Sequence, residues 1–182
     1  MHEGRLEPSQ LTRFEAAVLP HLDAAYTLAR YLLRDEHDAE DVVQEAYLRA
    51  LNYFDGFRGA GPAEGRSWLL TIVRNTAYTL RANRRPDAHA TEFDETLHSG
   101  GSEDEHPETE LLRAADRETV QRALDALPVE FREVIVLREL QDLSYKEIAE
   151  VAGIPVGTVM SRLARARRRL ERAIGAATKE RD

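Results

Sequence analysis

The 182-residue chain contains no cysteine. Disulfides and thiolate metal sites are thereby excluded, which fits a reducing, cytoplasmic setting. No run of about 18 apolar residues occurs, so no membrane span or membrane insertion is expected. The opening Met1-His-Glu-Gly-Arg-Leu-Glu-Pro8 has no apolar stretch resembling a secretion signal. There is no glycine-rich phosphate loop of the strand-to-helix kind and no nucleophile motif, so neither catalysis nor a cofactor is expected. Strand-like alternation is also missing, and residues 87–107 contain no Lys or Arg at all.

What is present is helical periodicity and a strongly uneven charge. The net charge is −8. Residues 1–86 hold 11 basic and 12 acidic side chains, residues 87–118 hold 2 and 11, and residues 119–182 hold 12 and 10. The acidity therefore sits in the middle, and local patches rather than the total decide what DNA meets. Residues 87–107 carry seven acids and a Ser-Gly-Gly-Ser run. Such a stretch buries too little to offset its ordering entropy and is expected to be flexible.

The periodicity predicts helices from Leu11 to Leu19, then to about Leu33 after Pro20, from Asp38 to Phe54, and from Arg66 to Arg85. Asp55 to Gly65, with four glycines and a proline, is expected to be a loop. Helices resume near Glu108 and run to Leu127, and another opens at Pro128 and runs to about Gln141. The expected fold is all-α: two small helical domains, 1–86 and 111–182, joined by a flexible acidic linker over 87–110.

The most specific signal lies near the end. Leu143-Ser-Tyr-Lys-Glu-Ile-Ala-Glu-Val-Ala152 predicts a short amphipathic helix, Gly153 a turn, and Pro155 onward a longer arginine-rich helix. That is a helix-turn-helix, whose second helix suits a DNA major groove. At 100° per residue, Val159, Leu163, Ala166 and Leu170 fall within about 60° of one another. The opposite face presents Met160, Ser161, Ala164, Arg165 and Arg168 toward base edges, with Arg162, Arg167 and Arg169 flanking it where phosphates would lie. The helix start, Pro155 to Thr158, leaves backbone N–H groups free for a phosphate. Six arginines between 162 and 172 face one acid, Glu171. A merely solvated face mixes signs more evenly.

Two earlier helices also carry candidate surfaces. On the third, Val42, Val43, Ala46, Ala50 and Phe54 form the inner stripe. Asp38, Asp41, Glu45 and Asn52 form the outer side, with Gln44 and Leu48 among them. An acidic face enclosing a leucine suits a basic partner surface, and it equally suits ordinary solvation. On the fourth, Leu69, Ile72, Val73, Thr76 and Leu80 face inward. Arg74, Arg81 and Arg85 face outward around Tyr78, with Asn75 at the border. Cations interleaved with aromatics suit single-stranded DNA. Trp68, at the first turn, is expected mainly to pack in the core. His89, His98 and His106 lie among acids, but their spacing matches no helical ligand pair, and no metal site is expected.

Three stretches together resemble a bacterial RNA polymerase sigma factor of the two-domain extracytoplasmic-function type: Asp38–Arg49, Trp68–Asn75, and Leu127–Leu170. The resemblance implies that Asp38, Asp41, Gln44, Glu45 and Leu48 dock on the polymerase. It implies that the loop and fourth helix open the promoter minus-10 element, with Asp55, Phe57, Arg58, Trp68, Arg74, Asn75, Tyr78 and Arg81 as candidates. Such loops capture an extruded base, whose unstacking is offset by pocket contacts. It implies minus-35 reading by Arg138, Met160, Ser161, Ala164 and Arg165, to which the helical rotation and the helix start add Thr158, Arg162 and Arg168 as candidates. Met160 departs from the family, which very often has Lys or Arg there. The implied partners are core RNA polymerase, promoter DNA in duplex and single-stranded form, and an anti-sigma protein. A stand-alone regulator with a sensing or dimerising N-terminal domain is the alternative reading of the same helix-turn-helix.

Overall fold

In the computed structural model, residues 7–84 and 117–179 are described. Among them every regular element is helical. The expected linker and His89, His98 and His106 lie outside the described residues. Helix α1 spans Pro8–Val18, and a 3-10 turn over Leu19–His21, containing Pro20, passes the chain into α2, Leu22–Leu33. Pro20 lacks an N–H and so disrupts the α ladder there, as expected, but the chain does not leave its helical path. Helix α3 spans Glu36–Tyr53 and α4 spans Pro62–Arg84. Residues 117–125 form α5. Helix α6, Val129–Ile135, widens into a π-turn over Val136–Leu140, followed by α7, Tyr145–Ala152, and α8, Val156–Lys179.

Each boundary has a local cause. The Asp35 carboxylate accepts the Asp38 N–H at 2.9 Å and opens α3, and Glu36 and Asp38 set negative charge at the positive end of its dipole. Helix α4 begins four residues earlier than expected, at Pro62. Proline needs no N–H partner in a first turn, and the Glu64 carboxylate reaches back to accept the Gly61 N–H at 2.7 Å. Ser144 and Glu147 form a reciprocal capping box for α7, Ser144 N–H to Glu147 at 2.7 Å and Glu147 N–H to the Ser144 hydroxyl at 3.2 Å. Gly153 ends α7 at φ 66°, a left-handed conformation that glycine adopts without strain.

The N-terminal core joins α2, α3 and α4, with α1 laid against α4. Leu28 and Leu32 of α2 meet Val42, Ala46 and Ala50 of α3 and Leu69, Leu70 and Val73 of α4, all buried. The alanines let the helix axes approach closely. At one end an aromatic cluster closes the core: Phe14 stands edge-on to Phe54 at 5.2 Å, and Phe57 lies 4.9 Å from Trp68. In the C-terminal half, Leu124, Phe131, Val134 and Leu137 pack on Leu143, Ile148, Val159 and Leu163.

The two halves touch, with α4 against α7 and α2 against α6. Their apolar residues join in one cluster, and polar pairs also cross the seam. Tyr31 donates to Gln121 at 3.1 Å, Arg66 donates to the Gln141 carbonyl at 3.2 Å, and Arg66 stands 3.7 Å from the Glu147 carboxylate. At its centre, Arg74 Nε donates to Glu133 Oε1 at 2.5 Å and the Tyr78 hydroxyl donates to Glu133 Oε2 at 3.1 Å.

Candidate nucleic-acid interface

Helix α8 separates a packing stripe from an open face, as its periodicity demands. Val159, Leu163 and Ala166 are buried against the preceding helices. Met160, Ser161, Ala164, Arg165 and Arg168 are exposed, while Thr158 and Arg162 are half-buried at the edges. Ser161 turns its hydroxyl back to the Thr158 carbonyl at 3.1 Å. Two of the three flanking arginines are engaged within the chain. Arg167 bonds Glu139 at 2.7 Å, and the Arg169 guanidinium lies 4.8 Å from the centre of the Phe131 ring. Both tie α8 to α6 and its π-turn.

Arg138 has a different place from its neighbours in the minus-35 set. It is half-buried, donates to the Leu143 carbonyl at 2.8 Å and lies 5.3 Å from the Tyr145 ring centre. The carbonyl it satisfies belongs to the residue just before the cap of α7, so Arg138 braces the entry to the helix-turn-helix.

On α3, Asp41, Gln44, Glu45 and Leu48 are exposed on one face at i, i+3, i+4, i+7 spacing. Leu48 is 58% exposed. Asp38 departs from the expected outer position. It is buried in the first turn and its carboxylate pairs with Arg84 of α4. Both residues sit where α3 and α4 close together, and the ion pair draws the side chain inward.

The loop and α4 divide between packing and surface. Phe57 is buried and Trp68 half-buried, both inside the aromatic cluster. Asp55, Arg58 and Asn75 are exposed. The Asp55 carboxylate accepts from Gln10 at 2.7 Å and its carbonyl accepts from Arg58 at 3.3 Å, so the loop is tied to α1 and to itself. Arg81 donates to the Leu32 carbonyl at 3.0 Å.

Arg74 and Tyr78, expected to face outward, are covered by α6. Arg74 lies 4.1 Å above the Tyr78 ring and both hold Glu133, whose side chain is 0% exposed. Burial lowers the Arg74 pKa, but the hydrogen bond and charge of Glu133 outweigh it and the net shift is upward. Burial first, and then the Glu133 charge, push the Tyr78 phenol up, so it stays a donor at every physiological pH. Glu133 was missing from the sequence reading. Its signal was the one acid, next to Arg132, inside the otherwise apolar run Phe131–Leu137, a charge that needs a partner if that run is core.

One helical module carries an exposed arginine-rich helix, and the other an exposed acidic face enclosing Leu48. The first module matches the Sigma-70 region 2 family over residues 17–86, and the second matches Sigma-70, region 4 over residues 117–170. The chain is 34% identical to the RNA polymerase sigma-H factor of Pseudomonas aeruginosa over 176 residues, 93% of this chain and 90% of that one. It is 42% identical to the ECF RNA polymerase sigma-E factor of Escherichia coli K12 over 144 residues, 75% of this chain and 74% of that one. Among solved structures it is similar to the sigma factor RpoE in complex with the anti-sigma factor NepR from Bartonella quintana. That match has a TM-score of 0.71 and 27% identity, covering 90% of this chain and 98% of that one. It is also similar to CnrH in complex with the cytosolic domain of CnrY, with a TM-score of 0.62 and 29% identity over 91% and 90% of the two chains. The chain belongs to the extracytoplasmic-function sigma factors, the subunits that direct core RNA polymerase to promoters.

Proposed function

We propose a division of labour among named surfaces. The face of Asp41, Gln44, Glu45 and Leu48 docks on core polymerase, with Asp38 fixing the start of that helix through Arg84. An exposed leucine ringed by acids suits a partner patch that is basic around an apolar centre. Asp55, Arg58, Asn75, Arg74, Tyr78 and Arg81 handle the minus-10 strand, on a loop shaped from within by Phe57 and Trp68. Met160, Ser161, Ala164, Arg165 and Arg168 read minus-35 duplex, with Thr158 and Arg162 at phosphates and Arg138 bracing the motif. The stretch 87–110 connects domains 1–86 and 111–182, and tethering both on polymerase raises the effective concentration of each for its half of the promoter.

The observation that carries this reading is the exposed Met160–Arg168 face of α8, lying opposite a fully buried Val159–Leu163–Ala166 stripe. The protein contributes recognition rather than catalysis and works in the cytoplasm with the polymerase. An anti-sigma protein is a further partner, since the similar RpoE is in complex with the anti-sigma factor NepR and the similar CnrH with the cytosolic domain of CnrY.

In vitro transcription from a promoter library tests the reading. Core polymerase with this chain is expected to select a bipartite promoter, while the free chain shows little promoter affinity at moderate salt. Tight, palindrome-specific binding by the free chain as a dimer, without polymerase, would overturn it in favour of a stand-alone regulator.

A further inference from the structure

The loop that joins α3 to α4 is held from outside. Residues 56–61 include three glycines, and such a stretch has too much backbone freedom to keep one shape unaided. Arg13 of α1 supplies the hold. Its Nη2 donates to the Phe57 carbonyl at 3.1 Å and to the Gly59 carbonyl at 3.2 Å. Its guanidinium carbon lies 5.5 Å from the centre of the Phe54 ring and 5.8 Å from that of Phe57. One turn earlier on the same face of α1, Gln10 donates to the Asp55 carboxylate at 2.7 Å. Beneath, Gly59 lies so close to the buried Phe57 ring that a Cβ there would collide with it. We propose that Arg13 is a positioning residue for promoter opening: it fixes the backbone on either side of Arg58 and so sets which minus-10 base the loop accepts. This rests on the assignment of the loop to the minus-10 strand.

The two carbonyls that Arg13 holds belong to the peptide units joining 57 to 58 and 59 to 60. The chain between them therefore carries Arg58 at a fixed place. Arg58 is exposed and donates to the Asp55 carbonyl at 3.3 Å, while the Asp55 carboxylate is held by Gln10. The two charged side chains of the loop thus stand in a set relation to each other. An extruded base is read by hydrogen bonds to its edge, and these depend on the direction of each donor and acceptor. A loop already in place offsets the unstacking of the base with the whole of those bonds. A loop that orders only on contact loses part of that gain to its own ordering. The residue type matters as well. A guanidinium is planar, so its edge reaches two carbonyls while its face meets the rings, and it stays charged at every physiological pH. Lysine offers a point charge with neither the face nor the fork. Arg13 is exposed and its contacts run to residues 54–59, so its loss frees the loop without opening the core of α2, α3 and α4.

The test uses holoenzyme carrying the full chain, on the promoter that the wild-type chain selects from the library, with each minus-10 position changed in turn to all four bases. The readout is the yield of heparin-resistant open complexes for each base at each position. Arg13→Ala is expected to lower discrimination at one position by about tenfold, the scale of one good base contact, with core binding and the minus-35 footprint unchanged. Arg13→Lys is expected to behave like Arg13→Ala, because it keeps the charge and loses the plane. Gln10→Ala, which releases Asp55, should lower discrimination at the same position by less, and it carries the test if Arg13→Ala does not fold. A merely structural role would lower the melting temperature and the yield for all bases alike. A direct phosphate contact by Arg13 would also lower the yield uniformly, and lysine would restore it. Either uniform result overturns the proposal, as does unchanged discrimination in the folded Arg13 variants. Asp55→Ala and Arg58→Ala separate the two levels of the reading. If they alter base preference and Arg13→Ala does not, the positioning role alone fails. If none of these variants alters it, the loop does not meet the minus-10 strand, and the positioning role fails with that assignment.

Discussion

Gly65 lies against the carbonyl oxygen of Ala17: a Cβ added at Gly65 would stand 2.1 Å from it. The contact is backbone to backbone, where α1 crosses the first turn of α4, so no flexible side chain is there to yield. Gly65→Ala is expected to destabilise the N-terminal half by about 1–3 kcal/mol, through overpacking. Urea unfolding of the variant would show it as a lower midpoint at unchanged slope.

Ser144 starts the helix-turn-helix by satisfying the Glu147 N–H. Ser144→Ala is expected to cost about 1 kcal/mol and to loosen the seating of α7 beneath α8. Upstream promoter binding by holoenzyme should weaken while core polymerase binding is kept, as read by footprinting and by pull-down.

Asp41 and Leu48 are exposed on α3. Changing both, Asp41→Ala with Leu48→Ala, should alter stability by no more than about 0.5 kcal/mol. Association with core polymerase should nevertheless be lost, measurable by size-exclusion chromatography or fluorescence anisotropy. Retained association would remove the docking assignment.

Arg165 is exposed at the centre of the α8 face. Arg165→Ala is expected to lower discrimination at one minus-35 position by about 1–3 kcal/mol, with polymerase binding unaffected. Selection from a randomised upstream element would reveal the relaxed position.

His21 is half-buried against α4, and its Nε2–H donates to the Pro62 carbonyl at 2.8 Å. Its pKa is lowered from 6.5, chiefly by burial and also by the Arg66 charge, with the carbonyl opposing both. Between the lowered value and 6.5 the unfolded chain holds a proton that the folded chain releases. The stability associated with His21 is therefore complete above 6.5 and is lost as pH falls through the lowered value. The melting temperature should drop across that window, and His21→Gln should flatten the drop.

The helices were legible because their apolar residues recur at helical spacing and their ends carry caps, as at Ser144 and Gly153. The stripe of α8 came out as rotation at 100° per residue required. The early start of α4 was hidden by Gly65 and by Gly59 and Gly61 just before it. Pro62 and Glu64 are start signals, but Gly65 resembles loop sequence until the Ala17 carbonyl is seen to leave no room for a Cβ. Asp38 was placed outside because periodicity cannot see Arg84, which lies on another helix. The seam between the halves was the least legible part. Its polar ties are single pairs far apart in the chain, Arg74 with Glu133 above all, and no local pattern encodes them.

The inward engagement of Arg167 and Arg169 bears on how ionic strength will act. Of the six arginines between 162 and 172, these two already have partners on α6 and its π-turn. Only about four remain to displace condensed counterions from duplex DNA, so a plot of log affinity against log salt should be correspondingly shallow, with a slope near −0.9 per phosphate engaged. Counting basic letters in this helix would overstate how much of its grip can be dissolved by salt.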